Sequence, residues 1–329
     1  IKEKRWESRN SMESKQMYIA DLNAVFGKEE EPLIRYMDDI VLPALTSNVV
    51  ADSTERTRYF FEDVLVRNIG GEYVLSGLLI KDTILEVKSE YDQREGLKKT
   101  DKHFKSSPYS LFLIYLKNHR MMLVKNQDGS PDTRSFSFAF RTVVDKYIKN
   151  RNGEIKADQN IEIKKYLPYV RVKVSGIKTS ASVKEALKDV EKITELTLKF
   201  YPLNSEWDYG NVFGDIDCRI RKVIGSAKGK MIFPSPENID GVVSVIEKTE
   251  GMAKTEMKVK YKEGTHGEQK RGKIKDHEIS DVSNIEINQE LDCAYEEIGD
   301  IKNKIQSMNI ESKNNILEYE KYVQKRGER

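Results

Sequence analysis

Lysines and arginines set at strand and helix spacing are the residues of this chain best placed to do chemistry, and that chemistry is neutralisation of a polyanion. In Asp215–Pro236, DIDCRIRKVIGSAKGKMIFPSP, the residues Ile216, Ile220, Val223, Ile224 and Ala227 recur at helical spacing. The spacing predicts a short amphipathic helix with its apolar stripe on a core and Arg219, Arg221, Lys222, Lys228 and Lys230 held outward. Asp215 and Asp217 stand where a helix N-terminus favours negative charge, and Lys228 and Lys230 lie just past its end. Further on, Lys258, Lys260 and Lys262 alternate through TEMKVKYKE, so a strand turns all three to one face, expected to carry cations only. Lys270, Arg271, Lys273 and Lys275 follow in a stretch that reads as a flexible basic loop. A surface of this kind neutralising about six phosphates loses affinity with salt at a log–log slope near −5. No residue is set to read base edges, which implies binding without sequence preference. The competing reading is a solvated surface, because Asp215–Arg219 and Asp217–Arg221 are i,i+4 pairs of the kind that decorate helices.

A second chemistry is written in Asp82-Thr-Ile-Leu-Glu86-Val87-Lys88. Apolar residues leading into Glu-x-Lys resemble the core strand of restriction-type nucleases. There the Glu meets a divalent metal and the Lys meets the attacking water. A further carboxylate would have to come from Glu72 or Asp82. Against this stands alternation itself, which places Glu86 and Lys88 on one strand face whether or not they act together. The four histidines, His103, His119, His266 and His277, are scattered, and none has a second ligand at metal spacing. Trp207, Tyr209, Phe213 and Tyr201 form an aromatic patch beside the basic segment, able to stack bases or to serve as core.

The totals limit these options. The chain has 329 residues, 33% of them charged, with a net charge of +2. A nucleic-acid partner therefore rests on local asymmetry rather than on the total. Asp276–Asp300 is strongly acidic and is expected to face away from DNA or to make dimer contacts, while Arg219–Lys275 holds a surplus of cations. Two cysteines, Cys218 and Cys293, give neither a disulfide framework nor a zinc cluster. No apolar run is long enough for a membrane span, and the charged first residues lack an apolar signal core. A cytoplasmic setting without cofactor or metal is expected.

The elements that must position these residues read as mixed. Met17–Gly27 has short apolar alternation, and Glu31-Pro32 opens a helix. Tyr59–Val66 and Tyr73–Ile80 read as a hairpin around Asn68-Ile69-Gly70-Gly71, followed by a strand at Thr83–Val87 and a polar loop at Asp92–Ser107. Tyr109–Leu116 and Arg120–Val124 form a buried strand pair turned at Lys117-Asn118-His119. Ser135–Ile148 begins as a strand, FSFAF, and continues as a helix. Tyr169–Val174 and Ile193–Phe200 alternate as strands, and Ser182 caps a helix between them. Val242–Ile246 and Glu256–Tyr261 read as a hairpin, and Gln289–Met308 and Asn315–Gln324 as two terminal helices. The expected fold class is α+β: two mixed α/β domains, residues 1–155 with a polar arm and 156–329 with the basic residues, ending in a helical tail.

The order of elements in the second half resembles the A proteins of the Rex phage-exclusion system of lambda-like prophages. The points of likeness are YVRVKV at Tyr169, the capped helix at Ser182, ELTLKF, the short basic helix before Phe233-Pro-Ser-Pro236, a hairpin, and the Asn284–Lys304 helix containing Leu291-Asp-Cys-Ala-Tyr295. The resemblance implies a cytosolic homodimer that binds double-stranded DNA without sequence preference, senses phage intermediates and signals to a membrane-protein partner, with no catalytic residues. It carries over Arg219, Arg221, Lys222, Lys228 and Lys230; the other cations rest on charge alone. The alternatives are a Mg²⁺-dependent nuclease working from Glu86 and Lys88, and an inhibitor or scaffold docking through the terminal helices.

Overall fold

The computed structural model describes residues 13–158, 165–200, 220–221, 223–226, 228–249, 253–262, 270–280, 282–287, 295 and 313–327. The strands in chain order are β1 (Glu13–Phe26), β2 (Glu31–Pro32), β3 (Ala51–Thr54), β4 (Thr57–Ile69), β5 (Glu72–Asp92), β6 (Gly96–Ser106), β7 (Tyr109–Tyr115), β8 (Arg120–Lys125), β9 (Val170–Gly176), β10 (Val190–Phe200), β11 (Gly229–Pro234), β12 (Ala253–Tyr261), β13 (Arg271–Lys275) and β14 (Val282–Ile287). The α-helices are α1 (Leu42–Thr46), α2 (Thr133–Ala157), α3 (Ser180–Leu187), α4 (Ile239–Glu247) and α5 (Lys313–Gly327).

A balanced α+β chain of two mixed domains is not what forms. The fold is mostly β, 48% strand against 31% helix among the described residues, built around a large curled antiparallel sheet. That ten-stranded sheet has the order β14-β1-β8-β7-β5-β4-β3, with β2 and β9 also paired to β1 and β6 paired to β5. The reason is visible in β1. Ala20, Leu22, Ala24 and Phe26 face one core while Met17 and Ile19 face another. A strand buried on both faces can organise neighbours on both edges. It takes β8 on one edge, and β9 and β14 on the other, so strands from either side of residue 155 complete one sheet.

Helix α2 covers one face. Its cap, Asp132, accepts from the Ser135 backbone N–H at 2.8 Å, and Phe136, Ala139, Phe140, Val143, Val144 and Ile148 form the buried stripe. The expected strand at FSFAF is therefore helix. Phe136 and Phe140 are four apart, and both rings meet Phe61 edge-on. Helix α5 closes the same core with Tyr319 and Tyr322. The Tyr319 hydroxyl accepts from the Tyr73 backbone N–H at 2.9 Å, and Asp38 accepts from Arg326 at 3.1 Å and Lys325 at 3.3 Å. The terminal helix thus spends its apolar face on its own chain, while Gln289–Met308 lies outside the described residues apart from Tyr295. Asp92–Ser107 is not a loop: β6 pairs with β5 beyond the sheet margin as a two-stranded ribbon.

The second sheet has four antiparallel strands in the order β11-β10-β12-β13. Leu196, Leu198, Phe200, Met257, Val259 and Ile274 form one face of it, packed with Val183 and Leu187 of α3 and Val242, Val243 and Ile246 of α4. The expected strand at Val242–Ile246 is helix instead. Asn238 caps it, accepting from the Gly241 N–H at 2.9 Å, and Val242, Val243 and Ile246 then share one helical face. Thr179, rather than Ser182, caps α3, with Ser182 as its reciprocal partner. Between the sheets, the fully buried Lys178 ammonium binds Asp276 at 2.8 Å and donates to the Ala253 carbonyl at 2.9 Å. Asp276 also accepts from the Thr255 N–H at 2.7 Å.

Candidate nucleic-acid interface

With its apolar face under α3 and α4, the small sheet turns every alternate residue the other way. The register fixes who sits beside whom on that open face. Lys199 of β10 lies between Lys230 of β11 and Lys254 of β12. The next row is Ile232, Thr197, Glu256 and Lys275, and the third is Pro234, Glu195, Lys258 and Lys273. Beyond a bulge come Lys192, Lys260 and Arg271. Among the described residues this face therefore holds nine cations and two carboxylates, and only the small Thr197 is buried on it.

The two carboxylates are fully engaged. Glu256 pairs with Lys199 at 2.7 Å and with Lys273 at 2.6 Å. Glu195 pairs with Lys258 at 3.1 Å. Hydrogen bonds from these lysines hold both carboxyls below the usual range, led by Lys199 at Glu256 and by Lys258 at Glu195. Lys230, Lys254, Arg271 and Lys275 have no ion pair among the described residues. Lys254 is half-buried, and burial lowers its pKa, with the charges of Lys178 and Lys199 adding to the effect and Asp276 opposing it. Lys173 on β9 is likewise lowered, by desolvation first and then by Lys254, Lys228 and Arg141.

The anticipated cations come together only in part. Lys230, Lys258, Lys260, Arg271, Lys273 and Lys275 share the open face. Glu256 shares it too, so it is not a face of cations only. The expected flexible loop, Lys262–Lys275, is a paired strand over its last part: Arg271–Lys275 is β13, held to β12, while residues 263–269 lie outside the described residues. Lys262 lies past the end of β12 and donates to the Lys188 carbonyl at 3.0 Å. Lys270 is exposed at the entrance to β13, and Lys228 is exposed just before β11. Arg219 and Lys222 lie outside the described residues, as do Trp207, Tyr209, Phe213 and Tyr201. The basic helix is turned opposite to expectation: Arg221 is buried, at 7% exposure, whereas Val223 and Ile224 are 86% and 68% exposed. Three cations of the face were not anticipated: Lys192, Lys199 and Lys254. ELTLKF and AKTEMKVKY carried the signal, since both alternate and their outward residues could have been read as well as their inward ones.

Glu86 does not sit in a constellation of carboxylates. It lies across from His103 on the β5–β6 ribbon, in ion pairs with Arg56 and, at 3.5 Å, with Lys88. Asp82 is held by Arg58 at 2.8 Å. Glu72 lies on the same strand as Glu86 but roughly 45 Å from it at an extended rise. Among the described residues no group of three or more His, Cys, Asp or Glu side chains could hold a metal ion. No helix among them is long and apolar enough to cross a membrane.

An antiparallel sheet with helices on one side and a cationic surface on the other defines the class of site. No family model matches the chain, and no curated protein matches it.

Proposed function

We propose that this protein binds double-stranded DNA without sequence preference, through the open face of its small sheet. The observation that carries the reading is the convergence of nine cations and two carboxylates on one side of β11-β10-β12-β13. A face neutralising about seven phosphates gives a salt slope near −6. Among the described residues the face offers lysines and an arginine but no Asn or Gln for adenine edges, in keeping with backbone contact. Among the described residues it offers no aromatic ring. The resemblance to the Rex exclusion proteins adds a biological setting: a cytosolic, homodimeric sensor of phage DNA intermediates acting on a membrane-protein partner. The test is a gel shift at 0.05–0.5 M salt with charge reversal at Lys230, Lys258 and Arg271. Retention should fall for each variant and collapse for the triple variant at unchanged melting temperature. Undiminished retention by the triple variant rejects this face.

A further inference from the structure

The rows of the open face are unequal. The second and third contain Glu256 and Glu195, and each mixes cations with a carboxylate. The first row, Lys230-Lys199-Lys254, has no carboxylate in it, and neither has the fourth, Lys192-Lys260-Arg271; the first differs in that cations of other elements act on it. Like charges directly opposite one another across strands destabilise a sheet. Among the described residues Lys199 is the member of this row with an ion pair, and it shares Glu256 with Lys273, while Lys230 acts on Glu195 at longer range. Further cations close in from other elements. Lys173 on β9 feels the charges of Lys254, of Lys228 from the approach to β11, and of Arg141 from α2. Asp276, the carboxylate that acts on Lys254, is already bound to Lys178 and the Thr255 N–H.

Ammonium groups gathered without matching acids raise the free energy of the fold, and an anion of more than one charge relieves it. An internal DNA phosphate carries one charge and suits the mixed rows. The all-cation corner suits a phosphate that carries two. We propose that the corner formed by Lys173, Lys228, Lys230 and Lys254 is a subsite for a phosphomonoester dianion, supplied in the DNA-binding reading by the 5′-phosphate of a duplex end. This deepens the proposed function and rests on it for the source of the phosphate.

The experiment compares the full chain with a corner variant, Lys173→Gln with Lys254→Gln, and a mid-face variant, Lys258→Gln with Lys273→Gln. Anisotropy titrations use one blunt duplex with 5′-phosphate or 5′-hydroxyl ends, and a closed circle. The native chain should prefer phosphorylated ends by about tenfold, the worth of one strong charge-assisted contact. The corner variant should lose that preference and bind circles more weakly only by about the worth of the one face cation it removes. The mid-face variant should bind all three more weakly and keep the preference. A parallel thermal-shift series adds inorganic phosphate or deoxyadenosine 5′-monophosphate to the native and corner proteins. Without ligand, Lys254→Gln should itself raise the melting temperature, because it removes repulsion. Equal binding of both ends with circles bound normally overturns the corner subsite and leaves the DNA-binding face standing. Loss of all DNA binding, with a phosphate-induced rise in melting temperature absent from the corner variant, rejects the face and supports a site for a free phosphomonoester. Absence of both the end preference and the thermal shift overturns the proposal outright.

Discussion

Replacing Glu256 with glutamine should tighten DNA binding, although it deletes two ion pairs. Glu256 holds the ammonium groups of Lys199 and Lys273 at 2.7 and 2.6 Å, in the middle of the open face. While ionised it neutralises cations that would otherwise meet phosphate. Glutamine keeps the shape and loses the charge. Two released lysines add up to two phosphate contacts, moving the salt slope from about −6 to about −8. At 0.15 M salt, two such contacts tighten binding by about 30-fold through counterion release, and the advantage shrinks towards nothing near 1 M. The structural cost is small, because exposed ion pairs contribute only about 0–1 kcal/mol. Fluorescence anisotropy of a labelled 20-base-pair duplex, titrated at five salt concentrations, reads both numbers. Weaker binding, or an unchanged slope, at an unaltered melting temperature would refute the reasoning that this carboxylate competes with DNA.

Other expectations follow from the rest of the fold. Burial pushes the Asp21 carboxyl up to about 6, against the pull of Arg120 and Lys178, and pushes the neighbouring buried His119 down to about 4. Between pH 4 and 6 the folded chain keeps an Asp21 proton that the unfolded chain releases, so this group loses stability as pH rises. Between pH 4 and 6.5 the unfolded chain takes a His119 proton that the folded chain refuses, so stability rises with pH. Each swing is worth about 3 kcal/mol and they oppose one another. Urea midpoints for Asp21→Asn should therefore climb from pH 4 to 6.5, where the native chain stays nearly level, and a flat Asp21→Asn profile contradicts this. Asp38→Asn should loosen α5, since that carboxylate receives Arg326, Lys325 and the Tyr322 hydroxyl; faster tryptic release of residues 313–327 is the readout, and native-like resistance counts against the clasp. Glu86→Ala should leave plasmid nicking in Mg²⁺ indistinguishable from the native chain, whereas a lost activity would revive the nuclease.

Strand alternation made much of this fold legible. YSLFLIYL with RMMLV announces a strand pair by unbroken apolar runs buried on both faces, VRVKV and ELTLKF announce strands by alternation, and each forms one. What alternation does not give is partnership. Nothing in VRVKV says that β9 joins β1 rather than a separate second sheet, and that pairing, with β14, is what unites residues on either side of 155. Short segments failed where a cap outweighed the pattern: Asp132 at FSFAF and Asn238 at DGVVSVIE each satisfy an orphan N–H and tip the backbone into helix. The interface was half legible for the same reason. TEMKVKYKE displays Lys258 and Lys260 on one face, but only cross-strand register sets Lys230, Lys199 and Lys254 in a row. The helical spacing after Asp215 identified an apolar stripe without telling which way it turns, and Arg221 rather than Ile224 proved to be inside.

Cation crowding at the corner needs a rigid frame, because free lysines swing apart to lower their repulsion. The frame is the buried ammonium of Lys178, two residues past the end of β9. It fixes the Ala253 carbonyl, which immediately precedes Lys254, and it anchors Asp276, which in turn fixes Thr255 on the other side. The backbone on both sides of Lys254 is thus tied to the strand that carries Lys173. Removing either partner of the Lys178–Asp276 pair would leave a desolvated charge, so the tie is costly to break. This buried contact holds the backbone of Lys254, cross-strand pairing with β10 holds that of Lys230, and their ammonium groups can separate only as far as their own side chains reach. The fold therefore maintains the like-charge corner as a standing demand for an anion.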